Sequence, residues 1–335
     1  PQIIVAEDDL ALIKAAFCVT DFSRTLDEGR LVFLVSADKN VMHARLRPIH
    51  AELLLGLQFV SLPHAGRVRA GFQREVRAAL MDFVAFARVQ MVTLLRNARI
   101  TVRNVAYNLG PYLARPGVEV LADRARGYPA ILVAAGPSLA RNVEQLGELR
   151  KRAVIIAVQT VFKSLLARGT PPHFVTSLDF HELSAQFFRG VEDVGGSVLV
   201  AEPKANWKVL DAFKGRAHVL HHDWYEDALR SATPRRGKLK AGSTVAHLAF
   251  YLAEHLGCDP IILLGQDLSF SDGLYYPPGM PIERMWQPEL SRFYSLEMKQ
   301  WERIVRARPI LRRVQDVHGR EAYTDEQLFT YAEQF

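Results

Sequence analysis

Between Gly117 and Asp267 the chain repeats one pattern. A short apolar run of strand length ends in a polar residue or a turn, and a segment of helical length follows. The runs lie at residues 130–134, 153–158, 174–178, 197–201, 217–220 and 260–264. Strands that alternate with helices this way build a parallel sheet with helices on both faces. The expected fold class is therefore α/β, with a Rossmann-like parallel sheet. Ligands of such sheets bind outside the carboxyl ends of the strands.

The run at 130–134 leads into Ala135-Gly136-Pro137-Ser138, which is turn chemistry. Residues 140–150 then read as a helix, with Val143, Leu146 and Leu149 on one side. A glycine turn between strand and helix points unpaired N–H groups at an anion. Gly136 would let a phosphate approach the backbone. Pro137 loses only an N–H that a helix start leaves unpaired, and Ser138 can cap the helix or bond a phosphate oxygen. An ordinary strand-to-helix turn fits the same residues, and one glycine turn does not separate the two readings.

The 335 residues predict two domains, and a hydrophobic share of 49% is enough for sizeable cores. The net charge of +6 is spread along the chain, with clusters at 230–240 and 303–313. Such clusters are mostly solvated faces, and an anionic ligand is the alternative. No basic repeat interleaved with aromatics argues for nucleic acid. Cys18 and Cys258 sit far apart in apolar contexts, which points to reduced thiols in a cytoplasmic protein. There is no run long enough to span a bilayer and no signal peptide.

The chain opens without Met on a strand at 3–5 that leads to Glu7. In a Rossmann-like unit such a strand follows a first strand and a glycine-rich loop. The expectation is a trimmed chain whose first βα unit is missing. Residues 10–17 read as a helix, 31–36 as a second buried strand, 41–57 as a helix broken near Pro48, and 59–62 as a short strand. A long amphipathic helix is expected over 72–97, carrying Val76, Leu80, Phe83, Val84, Ala87, Met91 and Leu94. It continues over 101–113 until Arg115-Pro116-Gly117 stops it. The expected domains are a partial Rossmann-like domain at 1–70, a helical connector at 71–116 and a nucleotide-sugar-binding catalytic domain at 117–335.

The strand-end rule gathers Gly136, Ser138, Gln159, Thr160, Asp179, Glu202, His222, Gly242, Ser243, Thr244, Gln266 and Asp267 on one crevice. Each also has a plain explanation. Asp179 can cap a helix, Ser243 and Thr244 can be N-caps, Asp267 can satisfy loop backbone, and His221 and His222 can be surface residues. The loop with Tyr275-Tyr276 follows Asp267 and is either a lid or ordinary surface. No metal-ligand spacing and no Gly-x-Ser-x-Gly elbow stand out.

Several of these segments resemble the motility accessory factor family of bacteria. They are Asn104…Asn108-Leu109, Arg115-Pro-Gly-Val118, Pro129 to Leu139, Ala153 to Thr160, Pro172 to Asp179, and Ala241 to Leu268. The family's central domain is shared with archaeal 6-hydroxymethylpterin pyrophosphokinases and is similar in fold to bacterial sialyltransferases that use CMP-sugars. The resemblance implies transfer of a nonulosonic acid from its CMP conjugate to Ser or Thr of flagellin or another surface protein, with no cofactor required. It implies that Gly136, Pro137, Ser138, Gln159 and Thr160 meet the nucleotide. Gly242, Ser243, Thr244, Gln266 and Asp267 would surround the sugar phosphate. Family members often carry Asp where this chain has Gln159, and a histidine near Tyr276. Tyr275 or Tyr276 would here bond the leaving phosphate, leaving Asp179 or His222 as base. The alternatives are a pyrophosphokinase whose Mg²⁺ is held by Asp179 and Asp267, and a non-catalytic accessory protein.

Overall fold

The computed structural model describes residues 2–61, 69–229, 236–240, 242–307, 311–332 and 335. It divides into two compact units, Pro1–Arg99 and Ile100–Phe335. The division falls inside one continuous helix, Ala70–Ala114, which joins the two helical segments expected from the sequence. Pro111 lies near the end of that helix.

In the first unit, strands β1 (Ile3–Ala6) and β2 (Leu31–Leu34) pair in parallel around the Leu10–Val19 helix. The strands were expected to be buried, yet Ile3 is half exposed and that helix has no buried residue. The unit's core lies instead on Leu34, Met42, Leu46, Ile49, Leu53, Val76, Leu80 and Phe83. The break near Pro48 is a 3-10 turn, Arg47–Ile49. Residues 59–61 form no strand, and Leu62 lies outside the described residues, as do the side chain of Leu94 and parts of both basic clusters.

The main sheet of the second unit holds, among the described residues, six strands: β3 (Ala130–Val133), β4 (Val154–Val158), β5 (Phe174–Ser177), β6 (Val198–Ala201), β7 (Ala217–Val219) and β8 (Ile261–Leu264). They form one sheet in the order β7-β6-β5-β4-β3-β8, and every pairing is parallel. All residues of β3 and β6 are buried, as a sheet covered on both faces requires. One face packs Leu132, Ile156, Leu248, Leu252 and their neighbours. The other packs Phe162, Val175, Phe188, Leu199 and Tyr225. An antiparallel hairpin, β9 (Leu311–Gln315) and β10 (Glu321–Asp325), follows and was not anticipated from the sequence. Cys258 is buried, which pushes its thiol up to about 11, whereas Cys18 is exposed; both are free.

The expected helix over 140–150 is a correction. The chain forms 3-10 turns at Pro137–Arg141 and Val143–Gln145, then one α-turn at Leu146–Leu149. Val143, Leu146 and Leu149 recur every third residue, which is the 3-10 period.

The long helix ends where Arg236 reaches its last carbonyls. The buried Arg236 guanidinium donates to the oxygens of Arg115 and Leu113 and lies 4.8 Å from the centre of the Tyr112 ring. A cation there offsets the negative end of the helix dipole. Arg236→Met keeps the stem and removes the donors. It should lower stability by about 1–3 kcal/mol, read as a lower urea midpoint with an unchanged slope.

Candidate functional site

The chain leaves β3 toward β4 on one side and returns to β8 on the other. The carboxyl ends of β3 and β8 are therefore the topological switch point, where ligands of such sheets bind. Gly136-Pro137-Ser138 follows β3, and Gly265-Gln266-Asp267 follows β8. The two loops are joined closely. The Gly136 N–H donates to the Gly265 carbonyl at 2.7 Å. The Ser138 N–H donates to Asp267 Oδ2 at 2.9 Å, and the Ser138 hydroxyl donates to Asp267 Oδ1 at 2.5 Å. The Leu139 N–H is used by the Gly136 carbonyl at 3.0 Å. A Cβ on Gly136 would lie 2.5 Å from the Gly265 oxygen and 2.7 Å from Asp267 Cγ.

The glycine is thus required for the approach of Asp267. The turn's N–H groups from Gly136 to Leu139 are all engaged within the protein, and a carboxylate holds the place that the sequence reading gave to a phosphate. The element behind the turn is a five-residue 3-10 helix, so the dipole of a long helix is missing there. Leu268, the next residue, has φ +50°, a strained conformation for a side chain with a Cβ. Its carbonyl is tied to the Thr324 hydroxyl at 2.7 Å.

A second cluster sits at the ends of β4 and β5. Gln159 is buried, and its Nε2 donates to Asp179 Oδ2 at 2.7 Å and to Ser184 Oγ at 3.2 Å. Its Oε1 accepts from the Ser177 hydroxyl at 2.6 Å. An Asp in place of Gln159 would set like charge against Asp179, whereas the amide offers it a proton. Burial raises the Asp179 carboxyl above the usual range; His181 and Lys204 pull the other way, and the nearby Glu202 adds to the rise. At the end of β6, Glu202 pairs with Lys204 at 2.7 Å. At the end of β7, burial pushes the His222 imidazole below its usual range, against Asp223 and Glu202. Its Nδ1 is buried and has no partner among the described residues.

The remaining candidates are spread along the same strand ends. Thr160 lies in the 3-10 turn Gln159–Val161, beside Gln159. Thr244 caps the Val245–His255 helix: its hydroxyl accepts from the His247 N–H at 3.3 Å, and its N–H donates to His247 Nδ1 at 3.2 Å. Gly242 packs so near His247 that a Cβ would overlap it, and Ser243 is exposed. Gln266 is half-buried beside Asp267. The Tyr276 N–H donates to Gln300 Oε1 at 3.1 Å, and its ring lies 4.9 Å from Tyr275. Ser177, Ser184 and Lys204 were missed by the sequence reading. Ser177 stands two residues before Asp179 at the same strand end, and that spacing was an available signal.

Asp179 and Asp267 follow β5 and β8, which stand three strand positions apart in the sheet order, and Asp267 leans back onto Ser138 at the end of β3. No group of three or more His, Cys, Asp or Glu among the described residues is placed to hold a metal.

Two outcomes follow from this geometry. Gly136→Ala forces Asp267 off Ser138 and should cost about 1–3 kcal/mol in chemical denaturation. Asp179→Asn should act in the opposite direction. A raised carboxyl costs nothing below the unfolded pKa, where both states are protonated, and its burden grows as pH rises through the folded value. The variant should therefore melt higher than the parent at pH 7 and level with it at pH 3 in a pH series of thermal scans.

A comparison with curated protein sequences finds no match. Among solved structures, the chain is similar to the MAf glycosyltransferase from Magnetospirillum magneticum AMB-1, with a TM-score of 0.62 and 17% identity. The match covers 99% of this chain and 49% of that one, so this chain spans about half its length. No helix among the described residues is long and apolar enough to cross a membrane. The family model described as 6-hydroxymethylpterin diphosphokinase MptE-like matches residues 103–273, from the end of the long helix to the loop beyond Asp267. The chain belongs to this MptE-like family.

Proposed function

We propose that the chain is a glycosyltransferase that moves a nonulosonic, sialic acid-like sugar from its CMP conjugate to a Ser or Thr hydroxyl of flagellin or another surface protein. The observation that supports it most is the fold shared with the MAf glycosyltransferase along nearly the whole chain. In this reading the donor lies across the strand ends, with its phosphate near Ser138 and its sugar near the Gly242–Thr244 loop.

The reaction breaks the bond between the anomeric carbon and the phosphate oxygen, and the electron pair leaves with CMP. The acceptor oxygen forms the new bond and gives up its proton. Asp179 takes that proton. Its raised carboxyl is a better base than an ordinary one, and Gln159 fixes Oδ2 while Oδ1 takes no part in that bond. His222, whose imidazole burial pushes below its usual range, is the alternative proton acceptor. Tyr276 donates to the leaving phosphate, whose developing charge needs donors. The phosphate and the Asp267 carboxylate compete for the Ser138 N–H, because two anions cannot share it. No metal is needed for this leaving group.

The family description favours a second reading, Mg²⁺-dependent diphosphoryl transfer from ATP to a small hydroxymethyl compound. Calorimetry on the 335-residue chain separates the two. CMP should bind without Mg²⁺, and ATP should bind weakly with or without it. Asp267→Ala, which frees the Ser138 donors, should tighten CMP binding several-fold. ATP binding that depends on Mg²⁺, with none for CMP, would replace this reading by the second. Weaker CMP binding in Asp267→Ala would mean that Asp267 itself holds the nucleotide.

A further inference from the structure

Asn104 and Asn108 lie one turn apart on the same face of the long helix, and both are fully buried. The Asn104 amide donates to the carbonyls of Phe180, at 2.9 Å, and Lys204, at 3.2 Å. The Asn108 amide donates to the carbonyls of Pro203, at 2.8 Å, and Ala205, at 2.9 Å. Two amides thus hold four carbonyls on the loops that follow β5 and β6. The loops are also joined to each other, since the Asn206 N–H donates to the Asp179 carbonyl at 3.0 Å and its Nδ2 to the Phe180 carbonyl at 3.4 Å. The Glu202 N–H donates to the Ser177 carbonyl at 3.1 Å, which closes the frame.

The bonds to these amides run one way. Asn104 Oδ1 and Asn108 Oδ1 are buried and have no partner among the described residues. A flipped amide would turn its oxygen on two carbonyls, so the orientation is fixed by the donors it must supply. An unpaired buried acceptor is costly, and it is kept here at both positions for the sake of the loop carbonyls. Those carbonyls flank Asp179 on one loop and Glu202 and Lys204 on the other. These are the groups whose burial and charge set the Asp179 carboxyl.

We propose that Asn104 and Asn108 are positioning residues of the strand-end crevice, which fix Asp179 against Glu202 and Lys204 by clamping both loops to one helix. The pair touches no reacting atom. The clamp stands on the hydrogen bonds alone, and its part in catalysis rests on the proposed glycosyl transfer, with Asp179 as base.

The test follows the Asp179 carboxyl signal by carbon NMR in the full chain labelled at aspartate, assigned by its loss in Asp179→Asn. In Asn104→Leu the loop is released and Asp179 gains water, so its titration midpoint should move down toward the ordinary carboxylate range. Asn108→Leu frees only the β6 loop and should produce a smaller shift. Leu256→Ala, buried at the opposite end of the sheet, destabilises the fold without touching the clamp and should leave the midpoint in place. If Asn104→Leu does not fold, Asn104→Ser admits water to the same carbonyls. An unmoved midpoint in the Asn104 and Asn108 variants, or an equal shift in Leu256→Ala, overturns the proposal. A moved midpoint in a chain that binds no CMP keeps the clamp and removes the glycosyltransferase reading.

Discussion

The approach of two loops at the switch point is the constraint on which the second unit depends. The chain leaves β3, runs through four further strands and must return to lie against β3 as β8. The ladder between them continues past the strands, from the Ala134 N–H to the Leu264 carbonyl at 2.8 Å and from the Gly136 N–H to the Gly265 carbonyl at 2.7 Å. Gly265 then turns away with φ +70°, and Asp267 folds back onto Ser138. A side chain at Gly136 fills the space that Asp267 and the Gly265 carbonyl occupy. The pairing of Ala130–Val133 with Ile261–Leu264 makes the switch point, and the Gly136 turn closes it.

The central strands could be read from the sequence because a parallel strand covered on both faces is a continuous apolar run. The six runs at 130–134 to 260–264 each match an observed strand to within a residue at either end. The same reading fails where apolar spacing serves two periods. Val143, Leu146 and Leu149 fit a 3-10 turn as well as one side of an α-helix, and Gly147 among them weakens the helix. It fails again at β1 and β2, where strand composition was taken to mean burial. The β9–β10 hairpin escaped because Leu311-Arg-Arg-Val-Gln315 has little apolar content.

The candidate site was legible in position but less so in its contacts. The strand-end rule found Gln159, Asp179, His222 and Asp267 without knowing the sheet order. The sequence could not show that Asp267 lies in the Gly136 turn, since residues 129 apart in the chain meet only through the β3–β8 pairing. The contacts of Asn104 and Asn108 were hidden for a similar reason. Their amides meet loop carbonyls, and a backbone acceptor leaves no mark on the residue type that carries it.

Two carboxylates end up in opposite circumstances. Asp267 is satisfied by the two donors of Ser138. Asp179 is half-buried and accepts from the Gln159 amide, and desolvation outweighs the cations near it. A chain selected for stability alone gains nothing from such a carboxyl, because a neutral amide would keep the Gln159 bond and lose the charge. A raised carboxyl does suit a group that must take up a proton near neutral pH. In the proposed reaction the Gln159 amide and the asparagine clamp have one common effect, which is to keep an unfavourable group where its protonation can be used. On that proposal the position of Asp179 ties the sheet to chemistry at its edge.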